Sequence, residues 1–149
     1  MRDPLVNQLG RVCRLYRGRM HARWEEIGLY RGQPFVLSAL WEQEGITHSE
    51  LAARMHVSPA TVTNTLKRME KAGFVERRHD LEDQRVSRVY LTDAGHAIRE
   101  QVNQHWQEVE TQVFGTLSEQ ERETLSRLLE RVREELVRWH EGRAAGTPR

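Results

Sequence analysis

The sequence predicts a mainly α-helical protein with one small β-hairpin. Apolar residues recur at steps of three and four over most of the 149-residue chain, which is the spacing of amphipathic helices. Two segments, 74–78 and 87–91, flank the polar sequence HDLEDQRV and are typical of short strands joined by a turn. With 38% hydrophobic and 30% charged residues, the chain has enough apolar material for one domain with helical extensions.

The first three helices have recognisable boundaries. A proline stands in the first turn of the first two helices, where its missing N–H costs nothing, and a glycine closes each of them. Thr47 and Glu50 form a capping box for the third helix, because each side chain accepts from the other residue's backbone N–H. These helices are predicted over residues 4–28, 33–45 and 48–55.

The remaining elements follow from similar patterns. Ser58 caps a fourth helix and Thr92 caps a fifth, while Ser118 and Glu121 form a capping box for a sixth. The predictions are a fourth helix over residues 59–72, a fifth helix from residue 93, a sixth helix ending at Gly142, and a flexible tail over residues 143–149.

The third and fourth helices are joined by a three-residue turn, which is typical of a helix-turn-helix. The predicted hairpin that follows makes this unit a winged helix. Charge is distributed unevenly around it: residues 1–31 carry seven arginines against three acidic residues, whereas residues 92–141 carry six against eleven. A basic amino-terminal part is therefore followed by an acidic helical part.

The fourth helix has two faces of opposite character. At 100° per residue, Val62, Leu66 and Met69 form its apolar stripe. The opposite face carries small polar groups first and only cations afterwards, which suits the DNA major groove better than a solvated face of mixed charge. Backbone N–H groups at the helix start also bind phosphate. The candidate DNA-binding residues of this helix are Ser58, Pro59, Thr61, Thr63, Asn64, Lys67 and Arg68.

The hairpin adds a second group of candidate DNA-binding residues. Arg85 lies at the predicted tip and is expected to enter the minor groove, with Asp83 holding its guanidinium through a bidentate pair. Arg77 and Arg88 lie on the adjoining strands. The alternative is an ordinary surface ion pair, which contributes little.

The sequence from Glu50 to Gly95 resembles the MarR family of bacterial transcription regulators. The matching motifs are the ELA start, the V-S-x-x-T-V-T turn, the L-x-x-M-E-x-x-G-F-V-x-R helix end, the D-x-R wing and the sequence LT-x-A-G. The resemblance implies a winged helix-turn-helix lobe over residues 32–91. It also implies dimerisation helices over residues 1–31 and 92–142.

The resemblance implies an obligate homodimer that acts as a repressor on double-stranded DNA. Two copies would present two recognition helices to a pseudo-palindromic operator, whose half-sites are about 10 bp apart. The broad apolar stripes of the first and last helices are consistent with this. Trp24, Trp106 and Trp139 are also costly to leave in water.

The resemblance further implies that a small ligand, of which aromatic anions are the expected class, releases the DNA. The expected pocket lies between the dimerisation helices and the DNA-binding lobe, and Arg17 or His21 would meet a carboxylate. Plain core packing is the alternative for each apolar member. The candidate lining is Tyr16, Arg17, Met20, His21, Trp24, Tyr30, Phe35 and Trp41.

Two other functions remain open. Cys13, the single cysteine, is a candidate thiol-based redox sensor, with Arg14 and Arg17 near it in sequence to favour a thiolate. A lone cysteine on a helix is also a common buried apolar residue. The winged helix could alternatively serve as a protein-interaction module, which would require no cationic outward face on the fourth helix.

Several function classes are not expected from the sequence. No glycine-rich phosphate loop, HExxH or G-x-S-x-G sequence is present, so we expect neither an enzyme nor a cofactor. The seven histidines are scattered, so we expect no metal site. Without an apolar run of membrane-spanning length or a secretory signal, we expect a cytoplasmic protein.

Overall fold

The computed structural model describes residues 3–145, and this range contains seven helices and three strands. The chain divides into two compact units, Met1–His105 and Trp106–Arg149. The helices are α1 (Leu5–Glu25), α2 (Gln33–Glu42), α3 (His48–Met55), α4 (Pro59–Lys71), α5 (Asp93–Ala97), α6 (Arg99–Phe114) and α7 (Glu119–Ala145). The strands are β1 (Ile46–Thr47), β2 (Val75–His79) and β3 (Ser87–Leu91).

The first unit is built around a three-stranded antiparallel sheet in the order β1-β3-β2. Val89 in the central strand pairs with Ile46 on one side and with Arg77 on the other. Helices α2, α3 and α4 pack against one another, and α2 and α4 also contact the sheet. Completely buried side chains from each element form the core, among them Leu37, Leu51, Leu66 and Val89.

The side-chain caps predicted for α3, α4 and α7 are confirmed, whereas Pro4 stands just before α1 and not in its first turn. The Thr47 hydroxyl accepts from the Glu50 N–H at 3.2 Å, and the Glu50 carboxylate accepts from the Thr47 N–H at 2.7 Å. Ser58 caps α4 by accepting from the Thr61 N–H at 3.2 Å. The second capping box, between Ser118 and Glu121, is also present.

Several elements differ from the prediction, since α1 ends at Glu25 and α2 at Glu42, where the sequence predicted residues 28 and 45. Strand β1 was not predicted, because two residues carry no periodic pattern. The predicted fifth helix divides at Ile98, where ψ is −10°. Helix α7 continues through Gly142 to Ala145, since one glycine costs only about 1 kcal/mol in a helix. Residues 143–145, which were predicted to belong to a flexible tail, are therefore helical. Residues 146–149 of that predicted tail lie outside the described range.

Helix α1 changes character along its length. Met20 and Trp24 are buried, and Trp24 stacks on His105 with ring centroids 5.8 Å apart. Leu5, Val12 and Leu15, nearer the start, are all more than 60% exposed. Only the carboxy-terminal half of α1 therefore belongs to the core of the first unit, and the apolar side chains of its first half are exposed.

The second unit contains the end of α6 and all of α7. Arg122 of α7 pairs with Glu110 of α6 at 3.3 Å. Along α7, one row of apolar side chains stays exposed: Leu128, Leu129, Val132, Leu136 and Trp139. No helix within the described range is long and apolar enough to cross a membrane.

Gly95 fixes the start of α5 against β2. Its carbonyl accepts from Trp41 Nε1 at 3.0 Å, and a Cβ placed on it would overlap the Phe74 carbonyl oxygen. The Phe74 carbonyl oxygen also accepts from the Thr92 N–H at 3.1 Å. The backbones approach so closely here that only a residue without a side chain fits.

We expect Gly95→Ala to lower the free energy of unfolding by about 1–3 kcal/mol, because the added methyl group must displace backbone. Gly18→Ala is the matched control. Gly18 is also helical, with open space around its Cβ position, and alanine should stabilise it by up to about 1 kcal/mol. Urea denaturation of both variants measures the difference, and equal stabilities would contradict the tight packing at Gly95.

Candidate nucleic-acid interface

Helix α4 is held in one rotational position by its apolar stripe. Val62, Leu66 and Met69 are completely buried, as the sequence predicts. The opposite face of the helix is consequently directed away from the core. Its side chains are exposed as expected, namely Ala60, Thr61, Thr63, Asn64, Lys67, Arg68 and Lys71.

The hydroxyl groups at the start of α4 are already engaged within the helix. The Thr63 hydroxyl donates to the Pro59 carbonyl at 3.0 Å, so its lone pairs are left to accept from another molecule. The Thr61 and Ser58 hydroxyls lie 2.9 Å apart and share one hydrogen bond. This part of the face therefore offers acceptors more readily than donors.

The cations further along α4 are unpaired. Within the part of the chain that the structure describes, Lys67, Arg68 and Lys71 form no ion pair, and the Asn64 amide has no hydrogen-bond partner. Contact with another molecule would therefore break no existing interaction of these four side chains. Their arrangement suits a polyanion with hydrogen-bonding groups beside it.

The tip of the hairpin presents Arg85, whose side chain is 92% exposed. Both its Nε, at 3.2 Å, and its backbone N–H, at 3.0 Å, donate to Oδ1 of Asp83. The predicted bidentate pair was wrong, because both bonds go to one carboxylate oxygen. Asp83 thus holds the loop backbone and the base of the side chain, and the terminal nitrogens of Arg85 have no partner among the described residues.

Arg77 and Arg88 are bound within the wing. Arg77 of β2 forms a two-point pair with Glu70 of α4, at 2.8 Å from Nε and 2.6 Å from a terminal nitrogen. Arg88 donates to Asp80 and, at 2.7 Å, to the Gly45 carbonyl. These arginines join the wing to α4 and to the residues before β1. The sequence predicted Arg77 and Arg88 as DNA-binding cations beside Arg85, but in the structure both are paired with carboxylates of the protein.

Arg78 on the wing and His48 on the neighbouring helix α3 also have specific contacts or buried polar atoms. Arg78 pairs with Glu76, and its guanidinium lies 4.5 Å above the Tyr90 ring. His48 of α3 has its Nε2 buried without a hydrogen-bond partner in the described structure. Burial, and next the charge of Arg77, lower the pKa of His48, so this ring is neutral near pH 7.

Asp80 organises the turn between β2 and β3. Its Oδ1 accepts from the backbone N–H groups of Glu82 at 2.8 Å and Asp83 at 3.1 Å. Its Oδ2 accepts from Arg88. The hydrogen bond from Arg88, followed by the two backbone bonds, lowers the pKa of Asp80 to about 2. The charged carboxylate therefore holds the wing in shape.

A cleft with a volume of about 620 Å³ lies beside α1 in the first unit. Six of the eight predicted ligand-binding residues line it: Tyr16, Arg17, Met20, His21, Trp24 and Phe35. Burial raises the pKa of Tyr16, so its phenol stays neutral and able to donate. The lining thus combines aromatic walls with an arginine and a histidine. This space is called the α1 cleft below.

The remaining predictions for this cleft need correction. Tyr30 is exposed and lines a different cleft beside α4. Trp41 lies elsewhere, because its Nε1 is bound to the Gly95 carbonyl. Cys13 lines the α1 cleft, which the sequence left open. Arg31 also lines it and was missed, since a loop residue shows no periodic pattern.

We expect carboxyl-detected NMR titration to give Asp80 a pKa of about 2. In Arg88→Gln the value should rise toward ~3.9, because the largest cause of the shift is removed. The depressed pKa means that Asp80 stabilises the fold fully above ~3.9, and that this contribution is lost as the pH falls toward 2. Arg78→Gln, on the same hairpin, should leave Asp80 unchanged. An unshifted Asp80 in the Arg88 variant would contradict the assignment.

Comparison with known proteins agrees with this geometry. The model of the MarR family matches residues 29–87. The HTH-type transcriptional regulator YwoH of Bacillus subtilis is 31% identical over 124 residues, which cover 83% of this chain and 90% of the relative. Both matches include the helix-turn-helix described above.

Solved structures have the same fold. The transcriptional regulator SlyA superposes with a TM-score of 0.86 and 25% identity, covering 93% of this chain and 98% of SlyA. An E. coli MarR mutant complexed with operator DNA gives a TM-score of 0.80 and 28% identity, covering 87% and 93%. The predicted winged-helix architecture and the expectation of a non-enzyme are confirmed. The chain belongs to the MarR family of DNA-binding transcription regulators.

Proposed function

We propose that this regulator is a homodimeric repressor that binds a pseudo-palindromic operator and is released by a small aromatic anion. The outward face of α4 supports the proposal most strongly. Asn64 has the amide geometry that pairs with an adenine edge in the major groove. Lys67 and Arg68 are exposed beside it without an ion pair among the described residues, which suits contact with phosphates.

Arg85 is proposed to contact the minor groove from the wing. Its exposed guanidinium stands at the tip of a hairpin that Asp80 and Arg88 hold in shape. Because Asp83 fixes the base of the side chain, less conformational entropy is lost on binding. An arginine presented in this way suits a narrow and electronegative groove.

Dimerisation is proposed to cover the exposed apolar rows of α1 and α7. Leu136 and Trp139 of α7 are 50% and 65% exposed, and large apolar side chains in a row are costly to leave in water. Two copies related by a two-fold axis bury such rows against each other. The same symmetry would give two α4 helices for two half-sites of the operator.

The α1 cleft is proposed to bind the effector. Arg17 is proposed to meet a carboxylate together with His21, whose Nε2 lies 3.4 Å from Oε1 of Glu25. Tyr16, Trp24 and Phe35 offer aromatic walls. Cys13 lines the same cleft, so a thiol-based sensor would act at this position as well. Loss of DNA binding after peroxide treatment, with Cys13→Ser resistant, would favour the redox alternative over the aromatic ligand.

The decisive experiment is fluorescence anisotropy with the DNA upstream of the protein's own gene, in ~50 mM and ~200 mM salt. Specific binding should have a dissociation constant of about 10⁻⁸ M or lower and weaken with salt. An unrelated fragment should bind at least ~10³-fold more weakly. If binding to both fragments is weak and equal, selection from a random DNA pool follows. Failure to select a preferred sequence would favour the protein-interaction module.

We also propose that the protein acts in the cytoplasm, because its proposed target is chromosomal DNA.

We expect Arg85→Ala to weaken operator binding by about 1–3 kcal/mol, since one base-edge or groove contact is lost. Asn64→Ala should change the preferred sequence, whereas Lys71→Ala should weaken binding to all sequences and reduce the salt dependence. Arg127→Ala on α7, which removes the same charge as the Arg85 change, is the control. Full affinity of the Arg85 variant would disprove the wing contact.

We expect Leu136→Asp to produce a monomer of 17.5 kDa, because a carboxylate cannot be buried in an apolar interface. Arg127→Asp places the same carboxylate about 180° away on α7 and should leave the dimer intact. Light scattering after size-exclusion chromatography distinguishes the two masses. A dimeric Leu136 variant would mean that the row on α7 does not form the interface.

A further inference from the structure

A small polar cleft of about 220 Å³ lies beside α4 in the first unit. It is lined by Arg31 from the loop between α1 and α2, and by Thr61, Asn64 and Arg68 from α4. Two guanidinium groups and two amides, those of Asn64 and Gln33, line this space, and no acidic residue does. Such a donor set is suited to an oxyanion, such as a DNA phosphate next to the bases that Asn64 reaches. It is called the α4 cleft below.

Arg31 also lines the α1 cleft, together with Arg17, Tyr16 and Trp24. No acidic residue lines that cleft either. Its two guanidinium groups and its aromatic walls suit an aromatic carboxylate. Arg31 is the residue that both clefts have in common.

The Arg31 side chain is available to both clefts. It is exposed, and among the described residues it forms no ion pair or hydrogen bond. A third cleft includes Arg31 and the acidic residue Glu42, yet the two are not within ion-pair distance. Gly28 and Gly32, which bracket the loop, both have positive φ, so the loop is set by its backbone and not by a bond to Arg31.

We propose that Arg31 is a shared cation that couples effector binding to DNA release. In the DNA-bound state its guanidinium joins Arg68 on a phosphate in the α4 cleft. In the effector-bound state it joins Arg17 on the carboxylate in the α1 cleft. Because one guanidinium cannot occupy both positions, each ligand lowers the affinity for the other.

The coupling is reciprocal in size. If the effector weakens DNA binding by a given factor, DNA weakens effector binding by the same factor. Effector binding would remove the phosphate contact of Arg31 in each subunit. The salt slope of DNA binding should therefore fall by about 0.9 per subunit when the effector is bound. This proposal rests on the proposed function, because it requires both operator binding and an effector in the α1 cleft.

Four variants separate the roles, with 2-naphthoate as the fluorescent aromatic carboxylate. Arg31→Gln should weaken both DNA and naphthoate binding, reduce the DNA salt slope, and bring the coupling factor close to one. Arg17→Gln should weaken naphthoate binding alone, and Arg68→Gln should weaken DNA binding alone. Arg19→Gln, on the exposed surface of α1 and outside both clefts, should match the wild type in every assay.

The coupling factor is the ratio of the DNA dissociation constants with and without saturating naphthoate. It is a separate measurement from the affinity for DNA or for naphthoate alone. An Arg31→Gln protein with the wild-type salt slope or the wild-type coupling factor overturns the proposal. A wild-type protein that binds its operator but not millimolar naphthoate overturns it as well, because the α1 cleft then takes no aromatic carboxylate. A wild-type protein without operator preference instead overturns the proposed function itself.

Discussion

The burial of three side chains on α4 sets the position of every group proposed to contact DNA. Val62, Leu66 and Met69 are completely inaccessible to solvent, and each buried side chain of this size contributes about 1.5–3 kcal/mol. Rotating α4 to present another face would expose all three and would cost more than any one DNA contact contributes. The outward face therefore exists before DNA is present. The proposed DNA contacts of Asn64 and the cations near it would therefore require no rearrangement of α4.

The wing solves a different problem, which is to keep a projecting hairpin in one shape without a core of its own. Its arginines accordingly divide into two groups. Arg77 and Arg88 are paired with carboxylates and connect the wing to α4 and to Gly45. Arg85 at the tip is nearly fully exposed. The carboxylates of Glu70 on α4 and of Asp80 on the hairpin neutralise Arg77 and Arg88. Within the described structure, Asp83 engages only the Nε and the backbone N–H of Arg85 and leaves its terminal nitrogens without a partner.

The parts of this structure that depend on neighbouring residues could be predicted from the sequence. The capping boxes at Thr47 and Ser118 and the buried stripe of α4 are examples, because each follows from spacing within one helix. Contacts between distant residues could not be predicted. The two-residue strand β1 exists only through pairing with β3, and the partner of Trp41 is a backbone carbonyl 54 residues away. The same limit explains why Arg77 and Arg88 were predicted with Arg85: an arginine on a strand has the same appearance in sequence whether or not a carboxylate lies opposite.

Helix α1 changes from exposed to buried along its length, and the α1 cleft lies where this change occurs. Its last turns, with Met20 and Trp24, are part of the first unit's core, while its first turns expose Leu5 and Val12. The α1 cleft extends along the transition, from Cys13 to Trp24. Allosteric coupling is typically about 1–3 kcal/mol, which equals the burial of a single side chain and is far less than rotating α4 would require. Under the proposed function, an effector in this cleft would have enough free energy to withdraw one contact or to shift α1, but not to remodel α4. The proposed release of DNA would then change how the outward face of α4 is placed and which cations it retains, while the face itself stays intact.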